Sequence, residues 1–130
     1  MEQVLNFLKE AGVYYLSTTE NDQPHVRPIG FVMEWEGKLA FCTSSQKNMC
    51  RQLHANPKAE LCTYHDGKTL RLCGKAVFIT SAETQAKALE VMPSLGKLYS
   101  VNDSSFEIYC LEDVKGSFSD MLGNTQEIIM

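Results

Sequence analysis

Short strand-like segments separated by turn residues dominate this 130-residue sequence. The clearest example is the Asp66-Gly67 pair, which separates residues 58–65 from residues 69–80. Asp-Gly between two such segments is a strong hairpin signal, because both positions tolerate the positive φ angles of a tight turn. Residues 13–19 are β-branched and aromatic, and residues 38–43 are apolar after a Glu36-Gly37 turn. The pattern predicts a meander of short antiparallel strands.

Three helices are predicted around these strands. The first covers residues 2–11 and stops at Gly12, the second runs from Lys47 to Asn56-Pro57, and the third begins at Ser81 and continues to Pro93. Further strands are expected at residues 25–35, 106–112 and 116–121, the first interrupted by Pro28 and Gly30 as an edge or bulged strand would be. We predict a single α+β domain, mainly β, over residues 1–130, with about six strands closing into a small barrel.

Composition excludes several functional classes. The net charge of −4 argues against general affinity for nucleic acid or an anionic membrane, which needs a broad cationic surface. The N-terminus lacks the features of a signal peptide and no apolar run could span a membrane, so a cytoplasmic location is expected. The five cysteines form no CxxC pair and the three histidines show no i, i+4 spacing. No metal site is predicted.

The link between the fourth strand-like segment and the second helix has the features of an anion site. An apolar strand ends in Thr43-Ser44-Ser45 and leads to a helix start that carries Lys47. Free backbone N–H groups, the positive end of the helix and an ammonium group would converge there. Arg27 is a second candidate cation, because its strand could pair with the strand leading to Thr43. A phosphate monoester suits this pair, although both cations could equally be solvated surface residues.

These segments, taken in order, resemble the pyridoxamine 5'-phosphate oxidase-like FMN-binding split-barrel family. The resemblance covers residues 13–80 most closely and extends loosely over the whole chain. It rests on an Arg-Pro strand, a Gly-bearing hairpin, an apolar strand ending in Thr, a hydroxyl-rich link to Lys, and two later dipeptides. In this sequence they read His25-Val26-Arg27-Pro28, Gly37, Phe41-Cys42-Thr43-Ser44-Ser45-Gln46-Lys47, Gln52-Leu53 and Asn56-Pro57.

The resemblance implies a six-stranded antiparallel split β-barrel with flanking helices and a noncovalent FMN at a homodimer interface. It implies that Arg27 and Lys47 hold the ribityl phosphate and that Ser45 and the backbone of Gln46 donate to it. The remaining contacts, to the isoalloxazine ring or the ribityl chain, fall on Val26, Pro28, Thr43, Ser44 and Gln52. The flavin would carry the electrons, and no side chain is predicted to be catalytic.

Pyridoxamine phosphate oxidation itself is not expected. The sequence ends in Gly123-Asn124-Thr125-Gln126-Glu127-Ile128-Ile129-Met130 and lacks the basic, histidine-bearing segment of a true pyridoxamine 5'-phosphate oxidase. The short form resembles the nitroimidazole-resistance and general-stress branch, which implies a small flavin-dependent oxidoreductase with a small-molecule substrate and NAD(P)H as a possible reductant. Two alternatives stay open: a flavin-binding module without turnover, and the same barrel binding haem or a deazaflavin.

Overall fold

A computed structural model describes residues 1–130. Three α-helices and eight β-strands follow one another along the chain. Their bounds are α1 Glu2–Ala11, β1 Tyr14–Glu20, β2 Gln23–Ile29, β3 Met33–Trp35, β4 Lys38–Ser44, α2 Asn48–Ala55, β5 Lys58–His65, β6 Lys68–Phe78, α3 Ala82–Val91, β7 Phe106–Asp120 and β8 Thr125–Ile129, with a short 3-10 segment at Pro93–Lys97. No helix combines the length and the apolar character needed to cross a bilayer.

All strand pairs are antiparallel and form one sheet. The strand order is β2-β1-β5-β6-β7-β4-β3, and β8 pairs with β7 outside this path. The predicted α+β, mainly β architecture is confirmed, but the sheet has eight strands instead of six and its hydrogen-bonded order does not close. Strand β2 contains Pro24 and Pro28, which lack an N–H donor, and it accordingly lies at an end of the order.

Two strand predictions differ from the structure in detail. The segment at residues 25–35 divides into β2 and β3, and β2 pairs with β1, so the expected pairing of the Arg27 strand with the strand leading to Thr43 is wrong. Residues 106–120 form one long strand in which Asp113 takes a positive φ of 52° without ending the pairing. Strand β8 is not predicted from the sequence, because only Ile128 of its five residues is buried and its apolar pattern is weak.

The apolar side chains form two clusters on opposite faces of the sheet. The larger cluster includes Leu16 of β1, Phe41 of β4, Leu72 of β6 and Tyr109 of β7, and α1 and α2 cover it with residues that include Leu8 and Leu53. The smaller cluster includes Phe106 and Ile108 and is covered by α3 through Ala88. Helix α3 begins with a reciprocal cap between Ser81 and Thr84, as its sequence indicates.

Gly116 marks a close approach between two backbones. It pairs with Leu72 of β6, and a Cβ atom at this position would lie 1.8 Å from the carbonyl oxygen of Arg71. A backbone oxygen cannot rotate away as a side chain does, so any side chain here would force β6 and β7 apart.

We therefore expect Gly116→Ala to destabilise the fold by at least about 2 kcal/mol, because the methyl group displaces backbone in the centre of the sheet. Gly96→Ala is the matched control, since a Cβ at that position meets no atom within 4 Å. Urea unfolding followed by circular dichroism measures both. Equal stability of the two variants would show that β6 and β7 separate easily.

Candidate functional site

The Arg27 side chain reaches from strand β2 to helix α2, where three oxygen acceptors lie within 3.1 Å of its guanidinium and the His25 carbonyl oxygen lies at 3.5 Å. Its Nη1 donates to the carbonyl oxygen of Leu16 at 3.1 Å and to Thr18 Oγ1 at 2.9 Å. Its Nη2 donates to Gln52 Oε1 at 3.0 Å, and the Thr18 hydroxyl donates to the same oxygen at 2.6 Å. Thr18 and Gln52 are almost fully buried. The guanidinium is therefore fixed in one orientation against α2.

This network continues toward solvent along the same side of α2. Gln52 Nε2 donates to Glu20 Oε2 at 3.2 Å, and Arg51 Nη1 donates to Glu20 Oε1 at 2.9 Å. Hydrogen bonds from Arg51 and Gln52 lower the pKa of the Glu20 carboxyl group. Partial burial lowers the pKa of Arg27, which nevertheless stays charged because a guanidinium titrates far above neutral pH. Arg27 is thus a fixed, half-buried cation.

The start of α2 adds further positive character. Lys47 is the N-cap residue, no side chain caps the helix, and its first turn contains no acidic residue. In this first turn the N–H groups of Asn48 and Met49 have no backbone partner and are available to an anion, whereas the Cys50 N–H donates to the Lys47 carbonyl at 3.2 Å. Lys47 is exposed and takes part in no ion pair. Arg27 reaches α2 at Gln52, about one turn from this end.

The link from Thr43 to Gln46 is partly engaged in contacts of its own. Thr43 is buried and its hydroxyl oxygen has no partner. Ser44 Oγ accepts from the Gln46 N–H at 3.1 Å, and the Ser45 N–H donates to the Ser105 carbonyl at 2.9 Å. The side chains of Ser45 and Gln46 are exposed. The Gln46 amide would have to leave Ser44 Oγ to reach an anion, whereas the Ser45 hydroxyl is free to do so.

Val26 and Pro28 lie on the opposite face of β2 from Arg27, because side chains alternate along a strand. Both are exposed, Val26 by 68%. The register places Pro28 opposite Tyr15, which is 49% exposed, and Tyr15 opposite Cys62 of β5. The structure therefore joins Arg27 and Gln52 directly, but it separates their side chains from those of Val26 and Pro28.

Two residues near this site are absent from the sequence predictions. Thr18 bridges Arg27 and Gln52, and its only sequence signal is its place in a strand neighbouring β2. Cys42 lies one residue before Thr43, and burial raises the pKa of its thiol to about 11, against the opposing effect of the Lys47 charge. Such a thiol stays protonated at neutral pH and is not a nucleophile. Burial likewise raises the pKa of Tyr14 and of Tyr109.

Comparison with known proteins identifies the architecture. A family model described as pyridoxamine 5'-phosphate oxidase matches residues 1–106. The structure of a NimC/NimA family protein from Clostridium acetobutylicum matches with 37% sequence identity and a TM-score of 0.95. The match covers 100% of this chain and 92% of that chain. No curated protein matches the sequence.

Two more distant structures share the fold. A pyridoxamine 5'-phosphate oxidase-related, FMN-binding protein from Nostoc punctiforme has a TM-score of 0.60 at 14% identity, with 98% of this chain and 95% of that chain covered. The haem storage protein HutZ from Vibrio cholerae has a TM-score of 0.68 at 14% identity, with 98% and 92% covered. At this identity the likeness concerns the fold alone.

We expect Thr18→Val to destabilise the protein by about 1.5–3 kcal/mol, because it removes a hydrogen-bond partner of a half-buried guanidinium. Thr63→Val is the matched control: Thr63 is equally buried, but its hydroxyl makes one neutral hydrogen bond, to the Val13 carbonyl at 2.8 Å. Its loss should cost about 1 kcal/mol. Urea unfolding at pH 7 compares the two, and a larger loss for Thr63→Val would contradict the importance of the Arg27 network.

Proposed function

Because the chain belongs to the pyridoxamine 5'-phosphate oxidase family, we propose that it binds FMN without a covalent bond and acts as a flavin-dependent oxidoreductase on a small molecule. The observation that carries the proposal is the fixed guanidinium of Arg27 beside α2, whose uncapped start bears the unpaired Lys47. In a chain of net charge −4, this local concentration of positive groups favours a phosphorylated ligand.

The donors left unused in the chain suit a terminal phosphate. A guanidinium has five N–H donors, and the bonds to Leu16, Thr18 and Gln52 use three of them. The Nε–H and one N–H of Nη2 remain for a phosphate oxygen. Lys47 supplies a mobile point charge, and the Ser45 hydroxyl and the Gln46 amide are the proposed neutral donors. Gln52 acts in this scheme by orienting Arg27.

The isoalloxazine ring is proposed to lie along two open backbone edges. Strand β2 pairs only with β1, so its other edge is free, and β4 is unpaired on the β3 side beyond Ala40. Val26 and Pro28 belong to the first edge, and Thr43 and Ser44 to the second. Backbone N–H and C=O groups at such edges are obligatory hydrogen-bonding groups that suit the polar rim of a flavin.

The protein's part in the reaction would be to bind and orient the cofactor. FMN, when bound, supplies the capacity to accept and donate electrons. The chain itself adds a cationic phosphate site and a buried apolar wall. The Tyr14 and Tyr109 hydroxyls in that wall are fully buried, and their raised pKa values keep them protonated. NAD(P)H is the proposed reductant.

We also propose that the cofactor site is completed in a homodimer. A surface groove of about 430 Å³ over β1, β5 and β6 contains none of the proposed cofactor residues. The outer face of β2, β1 and β5 exposes Val26, Pro28, Tyr15 and Tyr64, an apolar surface of a kind that usually contacts another protein. A second subunit covering this face would also shield the Val26–Pro28 backbone from water.

Haem is the second candidate ligand, and the fold shared with HutZ is the observation that favours it. The two ligands place different demands on the site. Haem carries carboxylates and needs an axial ligand to its iron, whereas FMN presents a single phosphate. Arg27 and Lys47 beside a helix start favour the phosphate. The absorption spectrum of the purified protein, with and without each added ligand, distinguishes the two.

Replacing Arg27 or Lys47 by Ala should weaken FMN binding by about 10- to 150-fold, because each removes a charge-assisted hydrogen bond worth about 1.5–3 kcal/mol. Arg27→Lys tests whether charge without the planar fork is enough. Arg71→Ala is the control, since Arg71 is exposed and pairs with Glu60 on another part of the sheet. Quenching of flavin fluorescence measures the affinities, and unchanged binding in both Ala variants would refute the phosphate assignment.

Turnover is a separate prediction. FMN-loaded protein should oxidise NADH or NADPH in the presence of a quinone or a nitro-compound, and the Arg27→Ala variant should lose this activity in proportion to its loss of FMN. Steady-state absorbance assays measure the rate. Stable FMN binding with no oxidation of either nucleotide would instead support a binding module used for sensing or sequestration.

A further inference from the structure

Helix α2 presents a second set of polar side chains on its other side. Cys50 and His54 are four residues apart and so share one face of the helix, whereas Gln52 is rotated by about 200° from Cys50. Glu107 of β7 reaches this face from the neighbouring strand. Cys50 Sγ donates to Glu107 Oε2 at 3.1 Å, and His54 Nε2 lies 2.9 Å from Glu107 Oε1. The three groups form one cluster.

The geometry of the cluster is close to that of a metal site. The ligand atoms of Cys50, His54 and Glu107 all lie within 4.8 Å of one another. A tetrahedral zinc ion holds sulfur at about 2.3 Å and nitrogen or oxygen at about 2.0–2.2 Å, so its ligand atoms stand roughly 3.5 Å apart. Shifts of about 1 Å or less in the side chains would therefore bring these atoms to the spacing of a zinc site.

We propose that Cys50, His54 and Glu107 form a binding site for a divalent transition-metal ion of the zinc type. One thiolate, one imidazole and one carboxylate are a donor set that selects zinc or cobalt over magnesium and calcium, which prefer oxygen ligands alone. Three protein ligands leave a fourth position for water. This inference is independent of FMN, because none of the three side chains belongs to the proposed cofactor site.

The burial, ring packing and charge around these three side chains favour a preorganised metal site over a chance contact. Burial is graded from Cys50, which is 1% exposed, through Glu107 at 18% to the His54 side chain at 50%. An ion can thus enter from the His54 side and be held at depth by sulfur. The His54 ring stacks on Phe78 with centroids 3.7 Å apart and planes within 10°, which fixes the direction of its nitrogen atoms. No lysine or arginine pairs with Glu107 to compete with a cation.

Metal binding would exchange the thiol proton for the ion. Cys50 Sγ donates its hydrogen to Glu107 Oε2, so without a metal the sulfur is a thiol. On binding, the Sγ–H bond breaks, a bond from sulfur to the ion forms, and the proton passes to solvent; no electron is transferred. The product would tie α2 to β7 and so hold in place the helix that orients Arg27.

The expectation of no metal site rests on the absence of a CxxC pair and on the spacing of the histidines. The signal it leaves out is the Cys50–His54 spacing within a predicted helix, which is the i, i+4 arrangement of a ligand pair. Glu107 could not be assigned from sequence, because it lies 53 positions beyond His54 and is brought there only by the pairing of β7 with β4.

Titration of the full-length, chelator-treated protein with Co²⁺ tests the proposal. Binding of one ion per chain should produce a thiolate-to-cobalt charge-transfer band, release about one proton per ion and raise the melting temperature. Zn²⁺ should displace the cobalt and abolish the band. Mg²⁺ should do neither. Absence of the charge-transfer band at saturating cobalt would overturn the site.

Single substitutions show whether these three residues are the ligands. Cys50→Ser, His54→Gln and Glu107→Gln should each weaken Co²⁺ binding by more than about 100-fold, beyond the effect of losing a supporting contact. His54→Gln is the decisive variant, because a half-exposed side chain can be replaced without disturbing the core. Cys73→Ser is the matched control: Cys73 is an exposed thiol beside Glu60 but has no histidine partner. Equal loss of binding in Cys73→Ser, or none in His54→Gln, would refute the assignment.

Discussion

Strand β7 is the element on which the rest of the sheet depends. Its 15 residues pair with β6, β4 and β8, so it joins the β2-β1-β5-β6 part of the sheet to the β4-β3 part. Strand β2 lies at one end of the strand order and the β3–β4 pair at the other, and no backbone pairing joins these two ends, so the barrel stays split. The close packing of β7 on β6 requires a residue without a side chain at Gly116. The open edges near the proposed cofactor site are a consequence of this topology.

The half-buried guanidinium of Arg27 requires a hydrogen-bond acceptor from α2. The guanidinium of Arg27 can leave water only if oxygen acceptors surround it, and Gln52 supplies one of them from inside the fold. Helix α2 consequently has two polar sides, one facing the β1–β2 hairpin through Gln52 and one facing β7 through Cys50 and His54. A short helix of eight residues thereby links the proposed phosphate site and the proposed metal site.

Local signals made much of the fold predictable. The Asp66-Gly67 turn, the Ser81 cap and the Gly12 stop each depend on a few neighbouring residues, and the structure contains the hairpin and the helices that they indicate. Strand β8 was not predictable, because its buried Ile128 gains its place from pairing with a distant strand. The predicted break at residues 113–115, between two expected strands, corresponds to a real backbone irregularity at Asp113. Pairing with neighbouring strands on both sides of Asp113 keeps β7 continuous.

The order of short segments by itself determined the family, the mainly β architecture and two of the important cations, Arg27 and Lys47. Tertiary structure alone decided which strand Arg27 pairs with, that Thr18 and Gln52 hold it, and that Glu107 meets Cys50 and His54. The physical reason is the range of the interactions. Turns, caps and periodicity act over a few residues and are written locally, whereas hydrogen bonds between side chains 34 or 53 positions apart exist only once the sheet has set its strand order.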